Sequence, residues 1–129
     1  MERIIKLLKE SRVCYEFHRG RVGMSQDWVA AVIDDIPMGF FSGSNDGYCV
    51  VSSPIVIADS SLSVEEIAGI AVTLSNSSRV AHCHIDNRIA TMKSKVSLLS
   101  SDDFISAIEL FLADIRTAQS VVSQAIEKI

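Results

Sequence analysis

Ile4, Leu7 and Leu8 recur at helical spacing, with Lys6, Lys9 and Glu10 between them. The spacing predicts a short amphipathic helix that lays one stripe on something larger. The period then changes: Val13, Tyr15 and Phe17 alternate with Cys14, Glu16 and His18, as in a strand. Arg19-Gly20 makes the turn and Val22-Gly23-Met24 begins the return. From Trp28 to Ala58 the pattern is β-rich. Trp28–Ile33 is one short apolar run, with a helix through Asp27–Ile33 as the alternative. Ile36–Phe41 is another, with Pro37 near its start, where a strand tolerates proline. Ser42-Gly43-Ser44-Asn45-Asp46-Gly47 is a turn cluster, sharpest at Asp46-Gly47. Tyr48–Val51 and Ile55–Ile57 follow as strand, interrupted near Pro54.

A second helix is announced by a capping box. Ser63 can accept from the backbone near Glu66, Glu66 can reach back, and Leu62 with Ile67 can form a hydrophobic staple. Ile67, Ile70, Ala71 and Leu74 line one face, broadened by Ala68 and Val72, so this helix is expected to be buried on more than one side. Asn76-Ser77-Ser78 ends it. Next, Ala81, Cys83 and Ile85 alternate with Val80, His82 and His84, and Asp86-Asn87-Arg88 turns the chain. Ala90, Met92, Ser94, Val96 and Leu98 then alternate with Ile89, Thr91, Lys93, Lys95 and Ser97. One face is apolar and the other carries His and Lys, as for a sheet covered on one side. Finally Ser100 or Ser101 caps a long helix with Asp102 and Asp103 in its first turn. Phe104, Ile108, Phe111, Ile115, Ala118, Val122, Ala125 and Ile129 form its stripe, widened by Leu112, Val121 and Ile126. Hairpin-like connections dominate, so the expected class is α+β, a mainly antiparallel sheet packed by helices, in the order α-β-β-β-β(-β)-α-β-β-α.

Composition narrows the function. The 129 residues fit one domain spanning residues 1–129, and 48% hydrophobic with 22% charged residues is a globular balance. A net charge of −4 argues against nucleic acid as main partner, leaving room for a small local basic patch. No apolar run approaches the roughly 20 residues of a membrane helix, and the start alternates too often for a signal peptide. The three cysteines, Cys14, Cys49 and Cys83, are far apart and form no CxxC pair, which suits free thiols in a reducing cytoplasm.

The helix running into Val13-Cys14-Tyr15-Glu16-Phe17, the central strands, and the stretch from Ser63 to Val122 resemble the YbjN family. In that stretch a helix ends in Leu74-Ser75-Asn76-Ser77-Ser78. The hairpin Arg79–Asp86 and Arg88–Leu98 follows, and Ser100-Ser101-Asp102-Asp103-Phe104 opens the last helix. The family shares its fold with class I type III secretion chaperones. The resemblance implies a non-catalytic regulator or protein-binding factor. The chaperones form dimers and hold effector segments extended on their surface. No residue-level site carries over from either group.

The reactive residues form weak constellations. His82 and His84 are candidate metal ligands, but on a strand they share one face while Cys83 points to the other. His18 and Asp86 would have to complete the set, so solvent-facing histidines are the simpler expectation. Gly39–Gly47 lacks the P-loop ending and the GxGxxG spacing. Gly20-Arg-Val-Gly23 lacks the helices that flank a KH loop. Asp34-Asp35 reads as a solvated strand end, and no Gly-x-Ser-x-Gly elbow exists. Cys49 lies near no evident base in the sequence, and Cys–His pairs form only in space, so catalysis by Cys49 or Cys83 is disfavoured.

The apolar residues point further. Trp28, Phe40, Phe41 and Tyr48 crowd the central strands. Phe40 and Phe41 must face opposite ways, and aromatics left outside favour protein recognition, unless a helix or dimer partner buries them. The expectation is a cytoplasmic, non-catalytic protein-binding or regulatory protein without cofactor, acting through an apolar surface or a free sheet edge. Trp28, Phe40, Phe41 and Tyr48 are its partner-binding candidates. A homodimer is expected through the helix bearing Ile67, Ile70, Ala71 and Leu74. The alternatives are a secretion chaperone for one effector, a small thiol- or metal-dependent enzyme or sensor, and a toxin-neutralising protein.

Overall fold

A computed structural model describes residues 1–20, 26–43, 47–56, 62–86 and 89–127. The elements are α1 (Glu2–Glu10), β1 (Tyr15–His18), β2 (Trp28–Ile33), β3 (Ile36–Ser42), β4 (Tyr48–Val56), α2 (Val64–Ser77), β5 (His82–Asp86), β6 (Ile89–Ser97) and α3 (Ser101–Glu127). The chain is α+β, as its pattern predicts. The strands form one six-stranded sheet in the order β1-β2-β3-β4-β6-β5, and every neighbouring pair is antiparallel. After β4 the chain passes through α2 to the far edge, and β6 then returns between β5 and β4.

The helices lie on one face of this sheet. Val29, Ala31, Met38, Phe40, Cys49, Val51, Ala90, Met92 and Val96 point toward them and are buried. Against these rows pack Ile4, Leu7 and Leu8 of α1, Ile67, Ile70 and Leu74 of α2, and Phe104, Ile108, Phe111, Leu112, Ile115, Ala118 and Val122 of α3. The side chains of Ala125 and Ile126, expected in the α3 stripe, lie outside the described residues, as do Ile129, Ile57, Val22-Gly23-Met24, Ser44-Asn45-Asp46 and Asn87-Arg88.

Local signals set the helix ends. Ser63 accepts from the Glu66 amide at 3.1 Å and the Glu66 carboxylate accepts from the Ser63 amide at 3.0 Å, completing the capping box. Ser100 caps α3 by accepting from the Asp103 amide at 3.1 Å. Ser101, the other candidate cap, instead donates to Glu10 at 2.7 Å and ties α3 to α1. Helix α1 ends with Arg12 at φ 58°, the Arg12 amide donating to Lys9 and the Val13 amide to Leu8. That is a Schellman stop with arginine where glycine is usual.

Three expectations change. Helix α2 is not buried on several sides: Val64 is 74% and Val72 61% exposed, so only the Ile67, Ile70 and Leu74 stripe enters the core. Its apolar breadth exceeds the contact that β5 and α3 offer. The break at Pro54 does not occur, and β4 runs through it. The β3–β4 pairing ends at Gly39 opposite Ser52, so Pro54 lies past that ladder and its missing amide disrupts nothing there. Ser53 bridges the gap, donating to the Pro37 carbonyl at 2.6 Å. Asp34-Asp35 is the two-residue β2–β3 hairpin turn itself, with φ 52° and 65°. Positive φ at both central residues is what a type I′ turn demands.

One buried carboxylate fixes the way β5 enters the sheet. Asp114 of α3 is 3% exposed. Its oxygens accept from the amides of Arg79 at 2.9 Å, Val80 at 2.9 Å and Ala81 at 3.0 Å. Three backbone donors that β-pairing does not reach are thereby satisfied by one charge.

Two substitutions check this account. Asp114→Ala strands those amides and is expected to lower unfolding free energy by about 3 kcal/mol in urea titration. Asp35→Gly places glycine at a left-handed position and is expected to raise it by about 1 kcal/mol in the same assay.

Candidate functional site

Strand geometry sends alternate residues to the two faces, so the inward rows fix what stands outside. On the outer face, register aligns His18, Trp28, Phe41, Val50 and Lys95 in one row across five strands. Glu16, Ala30, Gly39, Ser52, Lys93 and His82 form the next row. Most of these side chains are half-buried or exposed.

Three rings of the first row stack. The His18 and Trp28 centroids are 4.3 Å apart with planes 12° from parallel. Trp28 and Phe41 are 5.7 Å apart, also at 12°. Offset stacking of this kind contributes roughly 0.5–1.5 kcal/mol per pair beyond area burial. The rings lean over Gly39, where a Cβ would stand 3.0 Å from Phe41 and 3.3 Å from Trp28. Gly39 is therefore an outward position that is nevertheless buried, roofed by two aromatic side chains.

Beside the stack lies an open, mainly apolar concavity of about 710 Å³, lined among others by Cys14, Trp28, Ala30, Val32, Pro37, Gly39, Phe41 and Pro54. A second one, about 430 Å³, adjoins it beyond Phe41, lined by Gln26, Phe41, Ser42, Val50, Ser52, Thr91 and Lys93. Together they form a shallow groove across β2, β3, β4 and β6. Tyr48 lines neither concavity but a separate hollow with Met1, Arg3 and Leu98, its ring over Gly43 and the Lys95 ammonium 4.9 Å from its centroid.

The structure therefore divides the aromatic candidates. Trp28, Phe41 and Tyr48 stand on the open face. Phe40 does not: it is fully buried beneath the sheet, 6.0 Å from the Phe104 ring. The proposed dimer residues are also redirected. Ile67, Ile70 and Leu74 are buried in the chain's own core and are not available to a second chain, whereas Ala71 is half-buried.

His82 and His84 are exposed on the outer face of β5, opposite Lys93 and Thr91, while Cys83 is half-buried on the inner side. The Asp86 side chain lies outside the described residues. Among those residues no group of three or more His, Cys, Asp or Glu is placed to hold a metal ion. Burial pushes the Cys49 thiol up to about 12, the N-terminal ammonium and a backbone hydrogen bond only partly opposing it. Burial also raises the Cys83 thiol. Both are held as neutral thiols, the poorly nucleophilic form. Cys14 is exposed at the groove wall.

Gly39, Pro37 and Pro54 were not singled out by the sequence as surface residues. The available signal was the unbroken run Trp28–Ile33: a strand apolar at every position has an apolar outer row as well as an inner one.

Neither a protein-family model nor a curated protein matches the sequence. A solved structure is similar: an uncharacterized protein from Methanothermobacter thermautotrophicus, 14% identical, with a TM-score of 0.64 over 95% of this chain and 96% of that one. That likeness establishes the shared fold. No helix among the described residues is long and apolar enough to cross a membrane.

The raised thiols set an alkaline limit. The folded state keeps Cys49 protonated while the unfolded chain ionises near its ordinary 9.0, so this contribution to stability is complete below pH 9.0 and is lost as pH rises toward about 12. Under reducing conditions the urea midpoint of wild type is expected to fall more steeply above pH 9.0 than that of Cys49→Ala, which starts lower because of its cavity.

Proposed function

We propose that this chain is a protein-binding module of YbjN type, with a regulatory or chaperone-like rather than catalytic role, and that it receives its partner on the open face of the sheet. The observation that carries the reading is the His18–Trp28–Phe41 stack beside an apolar groove on a face that none of the helices covers. Contiguous exposed apolar surface with aromatic anchors is the usual composition of a recognition patch. Strand addition is less well served at β5, because the Cys83 amide already donates to Ser75 of α2 at 3.1 Å.

A second copy of this chain is the competing occupant of this face. Sedimentation as a concentration-independent monomer leaves the face to a foreign partner.

The test is affinity capture from the native cytosol with wild type and with Trp28→Ser/Phe41→Ser. A partner held by wild type is expected to bind the variant about thirtyfold more weakly, as for loss of an aromatic hot spot, with the circular dichroism of the fold retained and the urea midpoint lowered only by the lost stacking. A partner bound equally by both proteins rejects the open face as the site.

A further inference from the structure

The open face is not uniform, and its gradient specifies what it reads. Both rows begin at β1 and reach a lysine on β6, the first through the apolar Trp28, Phe41 and Val50, the second through Ala30, Gly39 and the polar Ser52. The first ends at Lys95 and the second at Lys93 followed by His82. His84 stands two residues further along β5, and both lysines and both histidines are exposed. Glu16, 3.7 Å from His18, stands at the opposite edge on β1. Asp86 occupies the end of β5, opposite Ile89 and away from the rows that contain the lysines. A chain of net charge −4 thus carries a local cationic margin beside its aromatic groove.

We infer, building on the protein-binding reading above, that the open face recognises an extended partner segment bearing an apolar or aromatic side chain and, four residues away, a carboxylate. The apolar side chain sits in the groove beside Phe41 and Gly39. The carboxylate meets Lys93, with Lys95 and His82 close by. The spacing follows from the sheet. Neighbouring strands are about 4.8 Å apart, so Gly39 on β3 lies roughly 10 Å from Lys93 on β6 and roughly 14 Å from His82 on β5. An extended segment crossing the strands advances about 3.3 Å per residue and returns to the same side every second residue. Position i+4, roughly 13 Å on, therefore lands just past Lys93, within reach of its flexible side chain and on the same side as the anchor, whereas in a helix it lies only about 6 Å on and falls short. The aromatic faces favour a peptide over a nucleic acid. His18, Trp28 and Phe41 are stacked on each other, which occupies the faces that successive bases would need.

The test is panning of a random peptide phage library on the full chain, then binding of the fluorescein-labelled winners. The expected winners carry Asp or Glu four positions from Trp, Phe, Leu, Ile or Met. Their affinity is expected to drop at least about tenfold for Lys93→Glu/Lys95→Glu and to weaken with added salt. Panning on that variant is expected to replace the acidic position with Lys or Arg. Winners without the acidic spacing that are lost on Phe41→Ser overturn this inference and leave the open-face reading standing. Winners indifferent to Phe41→Ser, or no winners at all, overturn both. A short oligothymidylate that binds more tightly than the winners and competes with them assigns the face to nucleic acid and also overturns it.

Discussion

Phe40 enters the core against Phe104, and the two-residue period of a strand then puts Phe41 on the opposite face. The same rule applies along β2, where Val29 and Ala31 are buried under the helices and Trp28, Ala30 and Val32 are turned outward. Three helices cover one side of a six-stranded sheet. Their stripes fill that side with Ile, Leu, Val and Phe, and the outer rows are left to water or to a partner. The composition of those outer rows therefore carries the functional information, since packing against the helices does not dictate it.

An exposed apolar sheet face invites unwanted association, and the chain restrains it locally. Trp28 and Phe41 stack on each other and on Gly39, so each ring buries much of its area within the chain. Lys93 and Lys95 border the patch with charge, and charge on a sheet discourages pairing with other sheets. The outer edge of β5 is partly closed by Ser75, and its entry is held by Asp114. What stays accessible is the groove between the aromatic stack and the lysine margin.

Much of this architecture is readable in the chain because period and capping are local properties. The alternation from Ala90 to Leu98 declares one buried face, and Ser63 with Glu66 declares a helix start. The features that escape a linear reading are long-range. Asp114 looks like one more polar residue on a helix, and its role depends on three amides more than 30 residues away. Pro54 looks like a strand break because its tolerance rests on where β3 stops. Val64, Ala68 and Val72 make α2 look deeply buried, whereas burial is limited by what β5 and α3 can cover. Asp34-Asp35 hides a tight turn because aspartate is not the residue that most often occupies paired left-handed positions. For the surface, it was readable that Phe40 and Phe41 face opposite ways, but which of the two faced outward was decided only by the position of α3.

The same alternation bears on the chemistry. On β5 it sends His82 and His84 outward and Cys83 inward, so the sheet itself stands between imidazole and thiol. A thiol–imidazole pair needs hydrogen-bond reach, about 3 Å, and adjacent strand residues on opposite faces do not provide it. Cys49 is held at the centre of the inner face, where desolvation favours the neutral thiol. The strand geometry that brings Trp28, Phe41 and Lys93 onto one accessible surface therefore also separates the Cys83 thiol from the imidazoles of His82 and His84. Both outcomes follow from the choice of which residue in each neighbouring pair faces the helices.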